Sequence, residues 1–296
     1  MSFVQLAESG PVLVFGASSQ IGFFLLPMLV ERGGRVLAVS RHPHAEGSGV
    51  SWLRGCLPEQ PPQDVADVET IISFGPMNAL VAWLERTPVP ALRRVVATSS
   101  MSAESKRHSP VTEERALAQW LRDAEAALAS VCERHGIACT ILRPTLIYGA
   151  GMDRSLTPLA RRALRTRVFA LPPGRGLRQP VHAQDIAIAV TAALQRPESG
   201  GRVIPIGGGE RLSAAQMFAR VRESLGMGTL PLHVPRFVAA LAQRWLPALR
   251  GPLSRLDQDL IADNGELERL LDVHPRGFSP DARTWAPPSS PPFVQR

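Results

Sequence analysis

Tyrosine and lysine are almost absent from this chain: Tyr148 and Lys106 are the single examples in 296 residues. They stand far apart, on different segments. No tyrosine and lysine can therefore share a helix face one turn apart, which excludes any acid/base device built from such a pair. Cysteine is also scarce. Cys56, Cys132 and Cys139 lack metal-type spacing, so no metal site is expected. An odd count without an export signal points to reduced thiols and a cytoplasmic setting. Cys132 and Cys139 read as small core residues. No apolar run is long enough to predict a membrane span. The opening MSFVQLAESG has neither the basic start nor the long apolar stretch of a signal peptide.

What is present is apolar and arginine-rich. The chain is 45% hydrophobic with a formal net charge of +7, and all but one of its 33 basic residues are arginine. The arginines are spread without a contiguous block and accompany abundant alanine and proline, a bias of GC-rich coding. Charge alone is thin support for nucleic acid as a partner; an anionic small molecule is the better expectation. Lys106 stands out against this background. Either chance left it, or its position needs a compact, titratable ammonium.

Short β-rich runs alternate with helical stretches. Strands are expected at 12–15, 35–39, 50–53, 68–74, 92–98, 137–142 and 203–206. Helices are expected at 21–31, 78–86 and 113–135. This order predicts an α/β fold, a Rossmann-type doubly wound parallel sheet of about seven strands. After Gly151 the composition changes. A basic helix and a PPGRG turn fall in 152–180, and helices are expected near 213–225, 236–249 and 254–271. Residues 1–150, with 180–208 returning to the sheet, form the expected dinucleotide-binding unit. Residues 151–179 and 209–296 form the expected small, mostly helical lobe over the sheet's carboxyl edge. The amphipathic stretch 236–249 could pack on its own core, on a second copy, or on a membrane surface.

The segment PVLVFGASSQIG, 11–22, is a strand turning into a helix. Such a turn aims backbone N–H groups at a pyrophosphate. Gly16 makes the tight turn, and Gly22 allows close helix–strand packing, with Ser18, Ser19, Gln20 and Ile21 between them. At the end of the second strand stand Ser40 and Arg41 where an NAD site usually carries an acid. A hydroxyl and a guanidinium suit a 2′-phosphate, so NADP is expected, with NAD as the alternative.

The order of motifs resembles the extended short-chain dehydrogenase/reductase family, the NAD-dependent epimerase/dehydratase group. FGASSQIG is similar to that family's TGxxGxxG, with Ser19 at the middle glycine. VVATSS, 95–100, resembles the strand ending in the active-site serine, and ILRPTLIYG, 141–149, resembles LRPxxxYGP. RQPVHAQDIAIAV, 178–190, resembles R-x-x-x-H-V-x-D-x-A, and PIGGGERLSAAQMF resembles the seventh strand and its helix. The resemblance implies cofactor contacts from Phe74, Gly75 and Pro76, from Thr98 and Ser99, and from the Pro144, Thr145 and Leu146 backbone beside the nicotinamide. It implies that Arg178 meets a nucleotide-sugar diphosphate and that a homodimer forms through the long helices. Its Tyr-x-x-x-Lys is missing: aligned on Glu125, those positions are Leu117 and Leu121.

The segment TSSMSAESKRHS, 98–109, follows the fifth strand and supplies Ser100 and Lys106 as candidate catalytic residues. A partly desolvated lysine can serve as acid or base, and a serine can hold a carbonyl. The plain alternative is a solvated loop whose hydroxyls cap turns. His182 reads as a core or hinge residue, and Asp185 as the cap of the next helix. Two functions remain open: an NADP-dependent oxidoreductase, epimerase or dehydratase with rebuilt acid/base groups, or a dinucleotide-bound sensor or scaffold without catalysis.

Overall fold

A computed structural model describes residues 10–44, 49–235, 245 and 255–288. The expected helix at 236–249 lies outside them, Trp245 apart. The central sheet contains β1 (Val12–Phe15), β2 (Val36–Ser40), β3 (Val50–Arg54), β4 (Thr70–Ser73), β5 (Arg94–Thr98), β6 (Ala138–Pro144) and β11 (Arg202–Ile206). Its order is β11-β6-β5-β4-β1-β2-β3, and every pairing is parallel. β1 and β2 are buried along their whole length. Unbroken apolar runs such as VLVF are what a sheet covered on both faces requires.

The remaining elements are α1 (Gln20–Glu31), α2 (Met77–Leu84), α3 (Ser102–Ser105), α4 (Thr112–Arg134), β7 (Ile147–Tyr148), α5 (Thr157–Thr166), β8 (Val168–Leu171), β9 (Leu177–Arg178), β10 (Val181–His182), α6 (Ala183–Gln195), β12 (Leu212–Ser213), α7 (Ala214–Glu223), β13 (Leu230–His233) and α8 (Gly265–Leu271). One face of the sheet packs Leu25 and Leu29 of α1 with Ile186 and Val190 of α6 and Leu271 of α8. The other packs Leu80 and Trp83 of α2 with Leu128 and Val131 of α4. There Phe15 meets Trp83 edge-on at 5.3 Å. Cys132 and Cys139 are buried in this second layer. A separate cluster of Leu156, Phe169, Met217, Val221 and Trp285 forms the core of the C-terminal lobe.

One expectation changes, and the lobe gains detail: two short pairings, β9·β12 and β8·β13, join its helices, while a third, β7·β10, lies beside the main sheet. These strands are two to four residues long, too short for alternation to show. Residues 254–271 do not form one helix. After a short 3-10 turn at Arg255–Asp257, the backbone bridges β9, with Leu260 N–H donating to the Leu177 carbonyl at 2.8 Å, before α8 begins.

Candidate functional site

The strands after β1 run outward in both directions, β2 and β3 on one side and β4 on the other. This reversal leaves a crevice at the carboxyl ends of β1 and β4, where ligands bind in open α/β sheets. A cleft of about 1040 Å³ occupies that place. A second cavity of about 320 Å³ joins it, sharing Ser19, Gln20, Phe74, Gly75, Pro76 and Ile147.

Gly16 closes β1 with φ +72°, and a Cβ there would stand 3.1 Å from the Phe74 Cβ. The left-handed conformation and the close approach both demand glycine. At Gly22 a Cβ would collide with the Ala17 carbonyl, so that glycine serves packing. Ser19 needs no glycine freedom, since its φ is −78°. It is the N-cap of α1, and its Oγ accepts the Gly22 N–H at 3.3 Å. The helix N-terminus thus opens onto the cleft with a capped first turn.

The large cleft is lined by Gly16, Ser18, Ser19, Gln20, Ser40, Arg41, Phe74, Gly75, Pro76, Thr145 and Leu146. Ile21, Thr98 and Ser99 line the smaller cavity. Of the expected cofactor contacts, Gly22 and Pro144 line neither; Pro144 instead receives the Met101 N–H at its carbonyl, 2.9 Å away. Ser40 is buried, with its Oγ 2.9 Å from His44 Nε2 and 3.2 Å from the His42 N–H that it accepts. Arg41 is exposed at the rim. Two of the lining residues carry a buried side-chain atom without a protein partner: Gln20 Oε1 and Ser99 Oγ.

The candidates outside the cofactor set lie elsewhere. Ser100 and Lys106 line neither cavity. Ser100 Oγ accepts the Ser102 N–H at 3.1 Å, holding the turn into α3. Lys106 Nζ lies 3.8 Å from Oε1 of buried Glu114, whose other oxygen accepts from Ser109 Oγ at 2.6 Å. Arg178 is buried in β9 and donates to the Leu177 and Gln258 carbonyls. Burial lowers its pKa against the opposing pull of Asp259 and Asp257. Tyr148 is buried against His182 and Phe278, and burial, reinforced by Asp185, pushes its hydroxyl up to about 12. The cap of α6 is His182, whose Nδ1 accepts the Gln184 N–H at 3.2 Å. Asp185 instead sits buried in the first turn and pairs with Arg276.

Several lining residues escaped sequence reading. The lobe contributes Met152, Asp153, Arg154 and Ser155 to the large cleft. Asp153 Oδ1 accepts N–H groups from Ser155 and Leu156, at 2.9 and 2.6 Å, which fixes this loop ahead of α5. Its Asp-x-Ser-x-Thr pattern is a helix-start signature that was there to be found. Cys56 and Glu59 close the far end. Trp120, Leu121 and Ala124 of α4 wall the smaller cavity with Met77 and Ile147, so an apolar surface stands where the aligned family lysine would be.

A parallel seven-stranded sheet with a glycine turn and a helix N-terminus at its reversal point defines a Rossmann-type α/β protein. Residues 77–207 match the model of the NAD dependent epimerase/dehydratase family, so this part of the chain carries that family's pattern, as the motifs indicated. The chain is 25% identical over 280 residues to the 2-alkyl-3-oxoalkanoate reductase of Stenotrophomonas maltophilia, covering 81% of this chain and 84% of that one. Solved structures share its fold. MoeE5 in complex with UDP-glucose and NAD superposes with a TM-score of 0.71 at 21% identity, over 93% of this chain and 97% of that one. The UDP-glucose 4-epimerase of Thermotoga maritima gives 0.68 at 16%, over 93% and 96%.

Proposed function

We propose that the cleft binds a nicotinamide dinucleotide, NADP(H) ahead of NAD(H), and that the chain is an oxidoreductase-type enzyme acting on an anionic small molecule such as a nucleotide sugar. The observation that carries the reading is the pair of buried, unpartnered atoms, Gln20 Oε1 and Ser99 Oγ, on two residues that line the smaller cavity, Gln20 lining the large cleft as well. Each unsatisfied group costs about 1–3 kcal/mol in an isolated fold, and a ligand bearing ribose hydroxyls and a carboxamide recovers that cost.

A bound dinucleotide supplies hydride chemistry. The chain's own part is to hold it: the Gly16 turn and the N-terminus of α1 take the phosphates, and Arg41 takes a 2′-phosphate. Gln20 and Ser99 orient the nicotinamide half, while Trp120, Leu121 and Ala124 exclude water from it. Arg154, on the lobe side of the large cleft, is the cation placed for an anionic substrate. Ser99 is the hydroxyl best placed to hydrogen-bond a substrate oxygen. The pairing of Lys106 with Glu114 favours a structural role for that lysine.

Two observations keep alternatives in view. Glu59 also lines the far end, its carboxylate 3.5 Å from Cys56 Sγ; a carboxylate there suits the free ribose hydroxyls of NAD. The leucine at position 121 favours a dinucleotide-bound sensor or scaffold. Calorimetric titration with NADPH and NADH, followed by hydride exchange against nucleotide sugars and oxoacyl compounds, tests the reading. Tight binding with no turnover on either class supports the sensor; no heat with either dinucleotide refutes the proposal.

A further inference from the structure

The arginines are not distributed evenly with respect to acids. Residues 154–184 hold seven arginines, residues 224–256 hold four, and neither segment contains an aspartate or glutamate. Eleven of the 33 basic residues and none of the 26 acidic ones fall there, so the remainder of the chain is net negative. Among the described residues, one strand of each segment lies beside the other. β8 pairs in parallel with β13, placing Val168 opposite Leu230 and Ala170 opposite Leu232.

This pairing sets one face of the ribbon. Phe169 turns into the lobe core, while Val168 and Ala170 turn outward. Leu230 is 67% exposed, Leu232 54% and Val168 37%, and Met227 beside them is 40% exposed. Period-two alternation normally puts polar side chains on such an outer face. Here it puts leucines. Arg162 and Arg165, three apart on α5 and hence on one helix face, are exposed just ahead of the ribbon. Arg167 caps α5 and sends its Nη1 to Met227 Sδ at 2.9 Å. None of the ion pairs among the described residues involves these three arginines. Trp245, in the same acid-free segment, is 71% exposed.

We infer that the β8–β13 face is a peripheral membrane-binding surface for anionic phospholipid. Exposed leucines enter the boundary between headgroups and acyl chains, and Arg167 at the ribbon, with Arg162 and Arg165 on the helix that leads into it, meets lipid phosphates. Guanidinium pairs well with phosphate in a partly dry setting. A nucleic-acid surface would share the arginines but has no use for exposed Leu230 and Leu232. Among the described residues no helix is long and apolar enough to cross a bilayer, so the contact is with the surface.

The test is flotation of the full chain with vesicles of phosphatidylcholine alone and of phosphatidylcholine mixed with phosphatidylglycerol. The mixed vesicles bind about tenfold more tightly or better, and added salt weakens them. Leu230→Ser with Leu232→Ser, and separately Arg162→Glu with Arg165→Glu, each abolish most of that binding while leaving the thermal transition unchanged. Absence of binding, equal binding to both vesicles, or retention of binding by both double variants overturns the inference. So does duplex DNA that displaces the vesicles and is itself bound more tightly.

Discussion

Arg41→Ala separates the two nicotinamide cofactors. Arg41 is the first residue beyond β2 and lines the large cleft. Ser40 next to it has its hydroxyl engaged by His42 and His44, so the guanidinium carries most of any preference for a 2′-phosphate. A hydrogen bond to a charged group contributes about 1.5–3 kcal/mol. Arg41 is exposed, so screening places it at the lower end, near a tenfold effect on Kd. Titration calorimetry with NADPH and NADH on the parent and the variant reads it. The NADPH Kd rises about tenfold while the NADH Kd stays within about twofold. An unchanged ratio of the two constants in the variant refutes the reasoning and moves the discrimination to Glu59 or elsewhere.

Ser99→Ala weakens dinucleotide binding by about fivefold to tenfold yet leaves the free protein as stable or up to about 1 kcal/mol more so, because it deletes an unpartnered buried hydroxyl; calorimetry and thermal melting read the two effects. Lys106→Met does the reverse, lowering the melting temperature without changing the dinucleotide Kd. Arg143→Met destabilises by about 3 kcal/mol in urea titration, because Arg143 pairs with Glu125, which is buried, and with Glu104 at 2.8 Å, and removing one partner strands a buried carboxylate. Burial, with Arg276 nearby, holds the His182 pKa down at about 4. The unfolded chain takes up a proton near pH 6.5 while the folded one does not, so stability is full above pH 6.5 and falls as pH drops toward 4, by about 2–3 kcal/mol; His182→Gln flattens a urea midpoint-versus-pH curve over that window.

The sheet was legible because its signals are long and redundant. Runs such as VLVF and VLAV read as fully buried strands, and α4 keeps apolar residues from Ala118 to Cys132 on its buried side. The cleft's β1 side was legible because Gly16 is a backbone necessity and the strand ends that surround it follow from topology. What sequence reading could not supply is which way a side chain turns once the chain has reached the right edge. Ser99 and Ser100 are neighbours of equal chemistry, yet past the end of β5 Ser99 lines the smaller cavity while Ser100 caps a turn. Lys106 looked conspicuous for its rarity, but its partner Glu114 lies across a loop whose path no periodicity encodes. Arg178 carried the expected residue type, yet β9 pairs with β12 and bridges Leu260 through contacts made far along the chain.

A crystal structure grown with NADPH puts the central claim to its most direct test. The account predicts the paired phosphates against the backbone N–H groups that open α1, the 2′-phosphate at Arg41, and the nicotinamide half within hydrogen-bond reach of Gln20 Oε1 and Ser99 Oγ. A fully occupied dinucleotide lying elsewhere, or an unfilled cleft at saturating NADPH, would contradict it.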